Sequence, residues 1–352
     1  MPSKTITPIA LLFAAALAQA EPLYFYAQKD KIGVKTASGR IVIAPVKVML
    51  PDAHHYAEAK RPIRGHTIEI CFSEHFNENR DDAIAADVGD VFSRTGQYLY
   101  SPIEYDNGCD YWQEGMRRYV EKGRVGFVRR DGSRATPAQW DFATSFEHGY
   151  ATVYRGGWKK EWTDDEHWTL APATPDAVSE VINQKGEVVA GSSLKTAADD
   201  IKRDGLYYPN PYRYTPHEQR IADYFNRLTV LQRLTLCCQS SPADADELNV
   251  RYQIVERPNA AQPYYRLQSF YTDGEHAGER AGESAADTEF LVSADGKRRF
   301  VAPNSVFADE YDTPIPLVRW IRQKLLRARD YLRENPKAPN RFDVNKELRR
   351  WR

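Results

Sequence analysis

One short pattern recurs along the first half of this chain: an apolar residue, a glycine, an apolar residue, a polar turn and a closing glycine. It reads IGVKTASG over Ile32–Gly39 and VGFVRRDG over Val125–Gly132, with identical spacing. DVFSRTG (Asp90–Gly96) and EVINQKG (Glu180–Gly186) repeat it with an acid in place of the first glycine. The clear copies continue with apolar alternation and then a proline, at Pro45, Pro102 and Pro137. A polar turn closed by glycine joins two short strands, so the pattern predicts hairpins in series. Gly39, Gly96, Gly132 and Gly186 are expected where the turn needs positive φ. Gly33 and Gly126 lie inside strand-like runs, where a missing side chain marks a bulge or a close neighbour. A phosphate-binding loop is excluded, because no helical run follows these glycines and no Gly-Lys-Ser/Thr is present.

A second element recurs beside the first. YWQEGMRRYV (Tyr111–Val120) and SFEHGYATV (Ser145–Val153) each carry an aromatic, a polar pair, glycine and a final valine, and Gly115 and Gly149 are 34 residues apart. A period of this size signals repeat architecture. The order aromatic-x-Glu-Gly-apolar, Gly-apolar-x-x-x-x-Gly, Pro-x-x-aromatic-Asp resembles the WG-repeat family. The best unit runs from Trp112 through Gly115, Val125, Gly126, Phe127, Asp131, Gly132, Pro137, Trp140 and Asp141 to Phe146. The resemblance covers Tyr24 to Val189; the tryptophan of the family dipeptide is Ile32 in the first unit and Val125 in the third. It implies a β-repeat surface used for interaction and no general catalytic assignment. Trp112, Trp140 and Phe146 are expected to supply the buried area that each small unit lacks alone.

The chain opens with Lys4, an apolar run from Ile9 to Leu17 and then Ala18-Gln19-Ala20. This is the pattern of a secretory signal peptide over residues 1–20, cleaved after Ala20, too short to span a bilayer. The expectation is a periplasmic or secreted protein with no membrane span after cleavage. In such a compartment an even cysteine count permits disulfides. Cys71 with Cys109 is the preferred pair, since both lie in the β-rich half, and Cys237 and Cys238 are read as reduced residues near a helix end.

After a linker-like stretch at 192–212 the periodicity changes. TPHEQRIADYFNRLTVLQRLTL places Thr215 and Glu218 in capping-box spacing, with Ile221, Tyr224, Phe225, Leu228, Leu231 and Leu234 on one helical face. Alternating strands follow, with Asp295-Gly296 as a hairpin turn. A closing helix begins at Thr313-Pro314 with Leu317, Ile321, Leu325, Ala328 and Leu332 on one face. The fold class expected is α+β: a hairpin-repeat domain at 21–191, then an α+β domain at 213–334 built of helix, antiparallel meander and helix, then a basic tail at 335–352. The second domain resembles the cystatin-like and NTF2-like class.

Charge is uneven. Thr313–Arg352 holds twelve Lys/Arg against four Asp/Glu, a net of +8 in a chain whose formal net charge is −1. Arg319, Arg322, Arg329 and Arg333 are the candidate docking residues, for an envelope protein or an anionic surface rather than nucleic acid. Catalysis has no candidate residue. HEQRI at His217–Ile221 lacks the second histidine of a zinc helix, and no Gly-x-Ser-x-Gly elbow appears. His54, His55, His66, Cys71 and His75 are too irregular in spacing for a metal site, and TDDEHW at Thr163–Trp168 reads as an acidic exposed loop. No cofactor is expected. The function expected is a non-catalytic interaction protein that uses the repeat surface and the basic helix. The alternative is a secreted hydrolase or small-ligand binder with its site in the concave face of the α+β domain.

Overall fold

The computed structural model describes residues 21–48, 62–71, 84–105, 108–163, 167–236, 250–259, 262–271, 284–302, 313–337 and 343–352. The signal-peptide segment, His54, His55, His75, Asp164–Glu166 and Cys237–Cys238 lie outside the described residues. The chain forms two compact units, residues 1–64 and 65–352. Both are built on antiparallel strands, and the helices are few.

The first unit holds one meander of β1 (Leu23–Gln28), β2 (Lys31–Thr36) and β3 (Ile41–Lys47). In the second unit, β4 (Thr67–Cys71), β5 (Gly89–Ser93) and β6 (Tyr98–Pro102) form one meander. The short pair β7 (Glu104–Tyr105) and β8 (Gly108–Cys109) follows, and then β9 (Met116–Glu121), β10 (Arg124–Arg129) and β11 (Arg134–Trp140) form another. Pairing of Ser101 with Val120 and Pro102 with Tyr119 fuses the two meanders into a six-stranded sheet. Next come β12 (Phe142–Ala143), β13 (Tyr150–Arg155), the hairpin β14 (Trp158–Trp162) and β15 (Trp168–Pro172), and β16 (Val178–Asn183), which returns to pair with β13.

One strand register recurs in these hairpins. Leu23↔Thr36 to Gln28↔Lys31, Met116↔Arg129 to Glu121↔Arg124, and Tyr150↔Asn183 to Arg155↔Val178 are six-residue ladders, and Thr67↔Ser93 to Cys71↔Gly89 is the same ladder one pair shorter. The last residue of each ladder opens the polar turn. The N–H of Gly39, Gly96, Gly132 or Gly186 donates to its carbonyl at 2.9–3.0 Å, and all four glycines have φ between +81° and +92°. The expected left-handed turn glycines are therefore in place, because a side chain there would be strained. Gly115 and Gly149 close two-residue turns after Glu114 and His148, whose φ values are also positive. Such paired positive values suit the twist of a tight hairpin.

Gly33 and Gly126 sit within strands, opposite Tyr26 and Tyr119, and the ladder to the following strand slips at each. A Cβ on Gly126 would lie 2.5 Å from Tyr119 Cε1 and 2.8 Å from the Ala138 nitrogen. Close packing by a tyrosine and a neighbouring strand, together with a bulge, explains both glycines. Trp140 and Phe146 are buried in the core beneath, with Phe127 and Phe146 centroids 4.6 Å apart. Trp112 is only partly buried.

Residues 192–212, expected to be a linker, hold a small hairpin of β17 (Ile201–Arg203) and β18 (Leu206–Tyr208), whose Tyr208 is buried against Tyr150. The helical run breaks in two, α1 (Pro216–Asn226) and α2 (Thr229–Leu236), where one helix had been expected. At the break, the Asn226 amide bonds both the N–H and the C=O of Tyr252 in a neighbouring strand and ties the end of α1 to it. The capping box is as expected, Glu218 N–H to Thr215 Oγ1 at 3.3 Å and Thr215 N–H to Glu218 Oε2 at 2.8 Å.

A five-stranded antiparallel sheet follows: β19 (Val250–Glu256), β20 (Tyr264–Tyr271), β21 (Ser284–Ser293), β22 (Arg299–Val301) and β23 (Ile315–Pro316). Its β21–β22 turn repeats the earlier geometry, with Gly296 N–H on the Ser293 carbonyl at 2.7 Å and φ +76°. The closing helix α3 (Leu317–Glu334) starts later than expected, because Ile315 and Pro316 are taken up as the sheet edge beside Phe300 and Val301. Beyond it, the stretch expected as a tail forms α4 (Val344–Arg350), whose Val344, with Leu348 and Trp351 nearby, joins the core of α1, α2, α3 and the sheet.

Replacing Gly126 by alanine should cost about 1–3 kcal/mol by overpacking against Tyr119. Gly123→Ala, which meets open space but keeps φ at +70°, should cost about 1 kcal/mol, and urea denaturation of the two variants measures the difference.

Candidate functional site

Two features of the second unit gather charged side chains. One is a junction between repeat turns and the sheet, and the other is an exposed helix face. Along β19, β20 and β21 the side chains alternate, as an antiparallel strand requires. Tyr252, Ile254, Leu267, Phe290 and Val292 enter the helix-covered core. Gln253, Glu256, Arg266, Gln268 and Glu289 belong to the opposite face, and the turns of the repeat half meet them there.

Arg130, two residues before the turn glycine Gly132, bonds Glu256 Oε1 through Nε and Glu289 Oε1 through Nη2, both at 2.6 Å. Arg266 closes the network from the sheet, 2.5 Å from Glu289 Oε2 and 3.1 Å from Glu256 Oε1. All four side chains are less than 20% exposed. Burial opposes the charge on Glu289, but Arg130 and Arg266 hold its carboxyl below the usual range; Arg130 is correspondingly raised against the same burial by Glu289 and Glu256. Trp112 lies under two guanidinium groups, those of Arg130 at 4.9 Å and Arg117 at 5.1 Å. Two further ion pairs lock the repeat half from inside: Arg117 to both oxygens of Glu69 at 2.6 and 2.7 Å, and Arg118 to both oxygens of Asp110.

Glu114 is the deepest carboxyl of the junction. Its backbone N–H donates to Gln268 Oε1 at 2.9 Å, and its Oε2 accepts the Gly149 N–H at 2.6 Å, so one turn caps the next. Oε1 and the neighbouring Tyr212 hydroxyl are both shielded from water and have no aligned hydrogen-bond partner among the described residues. Burial pushes Glu114 up to about 7, against the opposing pull of the Tyr212 hydroxyl and the Gly149 and His148 amides. His148 in the next turn stacks on Phe270 of the sheet, with centroids 5.2 Å apart.

The expected cysteine pair is joined: Cys71 and Cys109 form a disulfide with Cα atoms 5.8 Å apart, well within the range such a bond needs. Glu69, Cys71 and Cys109 are the one group of metal-ligand type among the described residues. The sulfurs are committed to each other and Glu69 to Arg117, so the group offers no set of ligand atoms for an ion. His66 is exposed and outside it, and His217 is at the helix start, where its ring bonds the Ala294 carbonyl. Trp162 and Trp168, which flank the Thr163–His167 stretch, are paired across β14 and β15, with Trp162 49% exposed and Lys160 lying over both rings.

The second feature is α3. Leu317, Trp320, Ile321 and Leu325 are buried. At 100° per residue, Arg319, Arg322, Arg329 and Arg333 fall within about 80° of arc on the opposite side, in a row about 21 Å long. All four are exposed. Asp330 serves Arg329 at 3.1 Å and Arg333 at 3.6 Å, while Arg319 and Arg322 face no carboxylate among the described residues. Lys346, Arg349 and Arg350 of α4 are exposed as well. Among the described residues no helix is long and apolar enough to cross a membrane.

The turn glycines, the disulfide and the arginine row were each visible in the sequence, but the junction was not. Glu114 stood in the sequence only as the acid of the aromatic-x-Glu-Gly pattern, and Glu256, Arg266, Gln268 and Glu289 lay unremarked within the alternating strands. The available signal was the alternation itself, which marks a face without naming its partner. Comparison with protein-family models, curated proteins and solved structures returned no match.

Two outcomes test the junction. Arg130→Ala leaves two carboxylates with one guanidinium and should cost about 3 kcal/mol in urea denaturation. Glu114, raised from 4.5 to about 7, adds stability that is complete below about pH 4.5 and is lost as pH rises through about 7. Glu114→Gln should therefore gain on the wild type between pH 5 and 8 by on the order of 3 kcal/mol, read as the difference between their unfolding free energies at each pH.

Proposed function

We propose that this is an exported, non-catalytic interaction protein of the WG-repeat type, docking through the basic face of its C-terminal helices onto an anionic partner surface. The observation that carries the reading is the row of four arginines on α3. They stand opposite the buried side of a helix that is already anchored, and two of them have no intramolecular carboxylate among the described residues. Exposed arginines in a row favour oxyanions, since each guanidinium can donate two parallel bonds to a carboxylate or phosphate.

The repeat reading draws support from the ladder register and turn geometry shared by four hairpins of the first half. Export is supported by the apolar leader with its small-residue cleavage site, and by a disulfide of the kind that persists in oxidising compartments. The polar sheet face, where a ligand site would otherwise be sought, is engaged by the chain's own Arg130, Glu114 and His148.

Retention on immobilised heparin, a general polyanion, tests this reading. The wild-type chain should elute at clearly higher salt than a variant carrying Arg→Gln at 319, 322, 329 and 333, with melting temperatures alike. Equal elution of the two would remove the basic face as a docking element.

A further inference from the structure

We propose that the arginine face of α3 docks peripherally onto an anionic phospholipid bilayer. The proposal rests on the interaction reading above and names its partner.

Three observations favour a bilayer over an acidic protein. The arginines form a straight row about 21 Å long rather than a ring around one point. A protein partner would need carboxylates at matching spacing, whereas a lipid surface presents phosphates along the whole row. Among the described residues Arg319 and Arg322 face no carboxylate that would fix their guanidinium groups in one geometry for a specific partner. Val318, 47% exposed, and Leu326, partly exposed, lie along the same side, an interleaving of apolar and cationic groups that suits the headgroup boundary.

The mode of attachment also follows. The apolar side of α3 is committed to the core through Leu317, Trp320, Ile321 and Leu325, and α4 is held there by Val344. These helices have no large apolar face left to bury in acyl chains. Attachment is therefore electrostatic, at the level of the headgroups, and falls steeply with salt.

The test is co-sedimentation of the chain as exported with vesicles of phosphatidylcholine alone or mixed with phosphatidylglycerol. We expect binding only to the mixed vesicles, reversed by high salt, and weakened about five-fold for each arginine replaced by glutamine at 319, 322, 329 and 333. Arg→Lys at all four positions should keep most of the binding, because a lipid surface reads charge. Melting curves confirm that the variants fold. Equal binding to both vesicle types, indifference to the glutamine substitutions, or loss of binding in the lysine variant would each overturn the proposal, the last by pointing to a partner that reads guanidinium geometry. Retention on heparin without binding to the mixed vesicles would sink the bilayer while leaving the interaction reading in place; failure on heparin would remove both.

Discussion

The second unit depends on one constraint: two arginines and two glutamates meet in a largely buried place, and none of them is satisfied by its own strand. Arg130 comes from a repeat turn, while Arg266, Glu256 and Glu289 come from the sheet. Charges withdrawn from water are costly unless their partners and geometry are complete. The network is electrically balanced, and Gln268 adds a hydrogen bond to Glu289 while accepting one from the Glu114 backbone. The strand register and turn geometry around it are therefore held to narrow tolerances. An apolar contact there could slide by an ångström at little cost, whereas this arrangement cannot.

The same network explains why residues 65–352 behave as one compact unit when the sequence divides into two grammars. Hairpin glycines fill one half, and helices with a meander fill the other. The sheet has an apolar side covered by helices and a polar side covered by turns, so each half completes the other. Glu114 sets a second condition on this arrangement. Its carboxyl occupies a site with one aligned amide and one unaligned hydroxyl, which suits the neutral acid better than the anion.

Local features were legible because their causes are local. Gly39, Gly96, Gly132 and Gly186 answer to backbone φ, Thr215 and Glu218 to helix-end amides, and the row from Arg319 to Arg333 to helical period. The glycines at 33 and 126 were legible as an alternative between bulge and close approach, and both causes operate. Apart from the Cys71–Cys109 bond, what was not legible was pairing across long sequence separations. Asn226 at the end of α1 bonds Tyr252, Ile315 pairs in a strand where a helix start was expected, and the 192–212 stretch packs through Tyr208. Periodicity reports which side of an element is apolar, and it is silent about what that side will touch.

The ladder between β13 and β16 ends at Arg155↔Val178 just as the ladder between β9 and β10 ends at Glu121↔Arg124, yet the first is closed by residues 156–177 and the second by Lys122 and Gly123 alone. Ring closure grows dearer only with the logarithm of its length, so a hairpin whose register is fixed from below can lengthen at its tip without disturbing its base. Each such tip is thus an open socket in the architecture, a place where new sequence can be tried while the frame beneath continues to fold as before.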